Sequence, residues 1–203
     1  MEGKKLFWLV AALCAIAAIA LHAMTWNSPP LFDDKLQLTQ KYIFSEYAVP
    51  FTLWQRWLSY GSFAWSYKLF GESWPLLRLE NVLLHAGTVL ALLTFYARLY
   101  AIMHIPSRPA ILLAGAGAFV FAVHRITVSA VSYVVQRSMV MATLFSLLTL
   151  IALLISTQVN GKKWLIVSGL AYVLALSSKE HAVMLPLVAG ALVYLIAMNG
   201  QNA

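Results

Sequence analysis

Asp33 and Asp34 stand side by side just after the double proline Pro29 and Pro30. Two like charges in one short segment disfavour each other's ionisation, so one of them is expected to hold its proton above the ordinary carboxylate range. Basic groups recur far along the chain at Arg56, Arg78, Arg137 and Lys179, with His124 among them and Glu180 next to Lys179. A carboxylate opposed by several cations near a membrane surface is the arrangement needed to move a group off a lipid phosphate. The acid takes a proton from an incoming hydroxyl, while arginine or lysine neutralises the charge developing on the leaving phosphate. Loop charges that merely face solvent or lipid head groups, with the aspartates capping a loop, give the same composition, and both readings stay open at this level.

The segment RLENVLLH sharpens the first reading. Arg78, Asn81 and His85 recur at intervals of three and four, which puts them on one face of a helix. Strongly polar groups on a membrane helix usually face the bundle interior or a cavity, although Asn81 hydrogen-bonded across a helix interface meets the same rule. His22, near the end of the first apolar run, is expected to be chiefly structural. Ser129, Ser132 and Gln136 fall at nearby helical spacings between Arg125 and Arg137. Lys179 and Glu180 are adjacent rather than a helical turn apart, so each is expected to reach a different partner. The aromatics between Trp54 and Trp74 suit an interfacial belt, with stacking on a sugar as the other possibility. The five histidines form no zinc spacing, and no metal or cofactor is expected.

The elements that must carry these groups follow from composition. Of 203 residues, 62% are hydrophobic and 10% charged, and the mean hydropathy is +0.79. A water-soluble domain carries about a quarter charged residues, so a soluble enzyme is excluded. The net charge of +7 does not gather on a hydrophilic face, which removes nucleic acid as a partner. Cys14 is the one cysteine, so no intrachain disulfide can form. The expected architecture is an all-α polytopic membrane protein forming a single transmembrane domain over 1–203. Its six spans are expected at 6–24, 79–101, 110–123, 138–156, 164–176 and 182–198, the first uncleaved rather than a signal peptide. Residues 25–78 form an outer loop, with one or two interfacial helices over 49–70 and a short helix or turn over 125–137. Six spans put Lys4, Lys5, Arg98, Arg108, Lys162 and Lys163 with Glu2 on one side, a balance of +5. The other eight basic residues meet six acids on the opposite side, a balance of +2. That asymmetry predicts cytoplasmic termini and a non-cytoplasmic polar cluster.

The order of these landmarks resembles the amino-terminal half of the GT-C superfamily, the polyprenyl-phosphate-dependent glycosyltransferases, and especially the O-mannosyltransferases that precede tetratricopeptide repeats. Asp33 and Asp34 match an Asp-Asp pair in the family's first outer loop. QRWLSYGSFAWSYKLFG retains Arg56, Leu58, Tyr67, Phe70 and Gly71 of a second motif, and RLENVLLH retains Asn81 and His85 of a third. FAVHRITVSAVSYVVQR keeps His124, Ala130, Val131 and Arg137, and SKE with a following proline is present as Ser178, Lys179, Glu180 and Pro186. Four positions depart from the pattern: Trp57 and Arg125 replace prolines, Arg78 replaces a histidine, and Ser129 stands where a glutamate is expected.

The resemblance implies a partial GT-C-like fold in a bacterial inner membrane with its active face periplasmic. It implies inverting transfer of a sugar from a polyprenyl-phosphate donor to a hydroxyl on a protein or glycan. Asp33 or Asp34 would be the catalytic base, Asp34 slightly favoured because Asp33 lies nearer the rigid prolines. Arg56, Arg78, His124, Arg137 and Lys179 would bind the donor phosphate, supported by Asn81, His85 and Glu180. Family members continue through several more spans, so a non-catalytic GT-C-like subunit, or a partial enzyme with a second membrane subunit as partner, is the alternative. A small lipid-handling or transport protein is the third reading.

Overall fold

The computed structural model describes all residues except 1, 31, 32, 35–37, 39–41, 48–54, 160, 202 and 203. The regular structure of the described residues is all helical, with no strand among them. Helix α1 is Glu2–Ala23, α2 is the short Tyr42–Glu46, α3 is Trp57–Phe70 and α4 is Trp74–Ile102. Then follow α5 (Ser107–Val123), α6 (Arg125–Ser132), a 3-10 turn at Val134–Gln136 and α7 (Arg137–Val159). Helix α8 is Lys162–Ser178, and a second 3-10 turn at Glu180–Met184 leads into α9, Leu185–Gln201.

Four stretches are long and apolar enough to cross a membrane: Glu2–Ala23, Trp74–Ile102, Val134–Val159 and Glu180–Met198. A fifth arises if α5 and α6, bent by 59° at His124, act as one broken span. The fifth expected span, 164–176, falls on α8, which has 17 residues, or about 26 Å at 1.5 Å per residue, short of the roughly 30 Å hydrocarbon core. The expected interfacial stretch over 49–70 is helical from Trp57 onward, and its first residues lie outside those described.

Helix α4 organises the bundle. With 29 residues it is about 44 Å long, so it outreaches the apolar core and carries its first two turns into the polar end. Ser73 precedes it as N-cap, and Pro75 sits in its first turn, where a missing N–H costs nothing. Helices α1 and α5 run parallel to each other and antiparallel to α4. Ala11, Cys14 and Ala18 of α1 meet Ala114, Ala118 and Ala122 of α5 and Ala86, Val89 and Leu93 of α4 in one buried cluster. Lipid tails are as apolar as these side chains, so small residues at four-residue spacing contribute by allowing close backbone approach and dispersion contact. At Gly115 a Cβ would overlap the Val10 side chain. Helix α7 runs alongside α4, and α8 folds back on α7, where Ser168 Oγ donates to the Thr149 carbonyl at 2.9 Å. Helix α9 keeps Leu187, Val188, Tyr194 and Leu195 exposed.

This alternation gathers the end of α1, the starts of α3, α4 and α7, the α5–α6 break and the α8–α9 turn at one end. Polar residues separated by more than a hundred positions therefore become neighbours there.

Candidate functional site

The polar end is built in two layers, of which the inner is closed. Arg137, at the start of α7, is buried, and every branch of its guanidinium is engaged. Nε donates to Asn81 Oδ1 at 2.7 Å, Nη2 to the Leu77 carbonyl at 2.9 Å and Nη1 to Ser62 Oγ at 3.1 Å. Nη2 also pairs with Glu80 Oε2 at 2.7 Å, and the guanidinium lies over the Phe63 ring, 4.1 Å from its centroid. Asn81 completes its amide by donating to the carbonyls of Val131 and Val134, each at 3.1 Å. Ser66 Oγ reaches both oxygens of Glu80, at 2.7 and 2.8 Å. Helices α3, α4, α6 and α7 are thereby tied by one network in which every nitrogen of the buried guanidinium is engaged, which is how a charge is tolerated at such depth.

Arg78 is also buried. Its Nη1 and Nη2 donate to the carbonyls of Trp26 and Pro29, both at 3.1 Å, pinning the chain after α1 against α4. His85 lies edge-on to His22, with ring centroids 5.1 Å apart, and His22 Nδ1 meets the Ala18 carbonyl at 2.8 Å. The face that joins Arg78, Asn81 and His85 in the sequence is thus the buried face of α4.

The two aspartates separate completely. Asp34 is buried, and its carboxylate accepts the backbone N–H groups of Val134 at 3.1 Å and Val135 at 2.7 Å, closing the start of the 3-10 turn. Burial pushes its pKa above the ordinary value, against the lowering effect of those two hydrogen bonds and of Arg78. Asp33 is exposed, and its backbone N–H donates to the Tyr133 hydroxyl at 2.8 Å. Both oxygens of Asp34 are thus taken by backbone amides. An acid whose two oxygens hold backbone amides is a structural acceptor, whereas the exposed Asp33 side chain lies against the Tyr133 hydroxyl.

The outer layer borders a cavity of about 380 Å³ lined by His85, Phe121, Ser129, Tyr133, Gln136 and Met139, among others. Its floor is apolar, and Tyr133, Gln136 and Ser129 supply the polar rim. Asp33 touches the rim through Tyr133. Lys179 touches it through Gln136, whose Oε1 accepts from Nζ at 3.5 Å. Arg56 stands beside Lys179: its Nε pairs with Glu180 Oε1 at 2.8 Å and its Nη1 donates to Tyr60 Oη at 3.1 Å. Lys179 and Glu180 therefore do reach different partners. The Lys179 pKa is lowered by burial first and then by the Arg56 charge, so this ammonium favours an incoming anion. Arg56 is raised, chiefly by its hydrogen bond to Glu180. Burial also raises the Tyr133 phenol. The backbone at Arg56 is left-handed, with φ 58°, an arrangement that costs a non-glycine residue about 1 kcal/mol and concentrates at functional positions.

Of the five expected phosphate ligands, the structure brings Arg56 and Lys179 close to each other, with Lys179 meeting the rim through Gln136. It holds Arg78 and Arg137 inside the fold. His124 is exposed and caps α6, its Nδ1 accepting the Ile126 N–H at 3.3 Å. Ser129 faces the cavity, and its hydroxyl donates to the Ile126 carbonyl at 2.8 Å. Tyr133 and Glu80 are among the contributors not singled out from the sequence, with Ser62, Ser66 and Tyr60. Tyr133 completes the stripe of Ser129 and Gln136 at steps of four and three, and Glu80 lies within RLENVLLH itself. Among the described residues no group of three or more His, Cys, Asp or Glu side chains is placed to hold a metal ion.

Comparison with protein-family models, curated proteins and solved structures gives no match to this chain.

Proposed function

We propose that this chain is a membrane glycosyltransferase that moves a sugar from a polyprenyl-phosphate donor to a hydroxyl on a protein or glycan. The observation that carries the reading is one exposed carboxylate, Asp33, set at the rim of an apolar cavity with two cations, Lys179 and Arg56, placed at the same end. An apolar cavity with a charged mouth fits an amphiphile whose phosphate stays at the mouth. In the proposed step the acceptor oxygen forms a bond to the anomeric carbon as the bond from that carbon to the phosphate oxygen breaks. The configuration inverts, the acceptor proton passes to Asp33, and the electron pair leaves with polyprenyl phosphate. Lys179 neutralises the leaving phosphate as a point charge and Arg56 through its planar fork, if Glu180 yields part of it. The topology that accompanies this reading has six spans, cytoplasmic termini and a periplasmic face at Asp33, in a bacterial inner membrane. The sequence resemblance to the GT-C superfamily supports it, as does the meeting of that family's landmarks at one end.

The test is transfer of radiolabelled sugar from a polyprenyl-phosphate donor to an envelope protein and glycan fraction, using the chain in proteoliposomes. Asp33→Asn is expected to lower turnover by roughly 10²–10⁴-fold while donor binding persists. Unchanged turnover in Asp33→Asn would remove the base and the mechanism with it.

A second reading, a non-catalytic subunit that keeps the fold and works with a membrane partner, is favoured by Ser129. This residue faces the cavity where the resemblance expects a glutamate, and it offers no carboxylate. Transfer absent from the isolated chain but restored by a co-expressed membrane partner would select this reading.

A further inference from the structure

The opposite end of the bundle carries a second cavity, of about 820 Å³, between the first turns of α1, the last turns of α4 and the start of α5. Lys4 and Trp8 of α1, Arg98 of α4, His104 of the α4–α5 turn, Ser107 of α5 and Gln158 of α7 all face it. Each of these six side chains can donate a hydrogen bond, and no carboxylate lines the space. Lys4 and Arg98 come from different helices and bring like charges to one cavity, an arrangement that is unfavourable until an anion lies between them. Arg98 Nε is buried without a hydrogen-bond partner among the described residues, although an unsatisfied buried donor ordinarily costs about 1–3 kcal/mol.

The turn adds an independent sign. His104 N–H donates to the Ala101 carbonyl and Ile105 N–H to the Tyr100 carbonyl, the pattern that closes a helix with one left-handed residue. That position usually belongs to glycine. Here His104 occupies it with φ 58°, and the turn thereby projects an imidazole into the cavity. Trp8 lies a helical turn beyond Lys4 on the same face and is exposed, as indoles are where apolar chain meets head groups.

We propose that this cavity binds a phosphate anion carried on a lipid head group, with Arg98 gripping two phosphate oxygens and Lys4 supplying the second charge. Ser107 and Gln158 donate to the ester oxygens, and Trp8 lies against the acyl boundary. Basic pockets between membrane helices select anionic head groups over zwitterionic ones on these grounds. The site is separate from the cavity beside Asp33 and does not depend on the transferase reading.

Native mass spectrometry of the full chain in detergent, titrated with dioleoyl phosphatidylglycerol or dioleoyl phosphatidylcholine, tests it directly. One phosphatidylglycerol is expected to be retained per chain at concentrations where phosphatidylcholine is not. Arg98→Gln should weaken retention about tenfold, the worth of one charge-assisted hydrogen bond. Lys4→Gln, on an exposed first turn that bears little on packing, should weaken it several-fold. Arg108→Gln, equally basic at the same end but outside the cavity, should stay within about twofold. Inorganic phosphate or glycerol phosphate displacing the lipid at millimolar levels would keep the phosphate site but assign it to a soluble anion. Equal weakening by Arg108→Gln, or equal retention of the two lipids by the unaltered chain, overturns the proposal.

Discussion

Arg137 and Arg56 each hold a glutamate at nearly the same distance, 2.7 Å to Glu80 and 2.8 Å to Glu180, in opposite surroundings. The Arg137 side chain is 2% exposed and its partner 24%, whereas Arg56 and its partner are 32% and 41% exposed. The first pair is surrounded by Asn81, Ser62, Ser66 and a backbone carbonyl, so every nitrogen of its guanidinium is engaged within the fold. The second lies nearer the surface, beside the partly buried Lys179. Identical ion-pair chemistry therefore serves the fold in one place and is available to a ligand in the other. The same division separates Asp34, fixed on two backbone amides, from the exposed Asp33.

Breaking the inner pair tests that division most severely. Arg137→Ala is expected to destabilise the protein by about 3–5 kcal/mol, because the buried Asn81 and the partly buried Glu80 are left without their partner. Thermal unfolding in detergent, followed by tryptophan fluorescence, measures it. Arg137→Lys should recover only part of the loss, since one ammonium cannot serve four acceptors on different sides. A loss below about 1 kcal/mol in Arg137→Ala would show that the inner network is not what joins α3, α4 and α7.

The aspartates should differ in kind as well as degree. Asp34→Asn presents an NH₂ group to one of two backbone donors, and an unsatisfied pair of that sort costs about 1–3 kcal/mol. Asp33→Asn should leave the unfolding temperature where it is and act on turnover alone. If both substitutions lowered stability equally, the exposed and buried roles assigned to these residues would be wrong.

Arg56→Ala is expected to cost at most about 1 kcal/mol, as exposed ion pairs do. It should nevertheless weaken retention of a polyprenyl phosphate, with or without its sugar, in the same detergent titration. Full retention in this variant would confine the phosphate chemistry to Lys179.

The smallest expected effect is a pH dependence. The folded pKa of Asp34 is raised above its ordinary 3.8, first by burial. Its contribution to stability is therefore complete below that ordinary value and is lost as pH rises through the raised one. Unfolding temperatures collected upward from mildly acidic pH should show a shallow decline in the unaltered chain that is absent in Asp34→Asn. An unfolding temperature that rises over this range because of Asp34 would contradict the burial described for it.

Much of the helical layout is legible without coordinates. The apolar run expected over 79–101 is the core of Trp74–Ile102, and the run expected over 138–156 lies within Arg137–Val159, because hydrophobicity and helix-breaking residues are local properties. Helix α8, Lys162–Ser178, extends two residues at each end beyond the run expected over 164–176 and stops just before Lys179 and Glu180. The shared face of Arg78, Asn81 and His85 follows from helical geometry alone, and all three are buried along α4. Spacing cannot tell an arginine that meets a carbonyl from one that meets solvent. Arg78 and Arg137 read as free cations in the sequence because the carbonyls of Trp26, Pro29 and Leu77 carry no sequence signal of their own.

Composition and periodicity by themselves determined that this chain is a set of apolar helices with its polar groups gathered near their ends, since burial in lipid requires internal backbone hydrogen bonding and apolar exteriors whatever the partners. Which of two adjacent aspartates is exposed, which arginines are enclosed and that Tyr133 links Asp33 to a cavity were decided only by tertiary structure. Each depends on contacts between residues about a hundred positions apart, such as Asp33 with Tyr133 and Asp34 with Val134. Such contacts are set by how helix ends meet, and no local pattern encodes them.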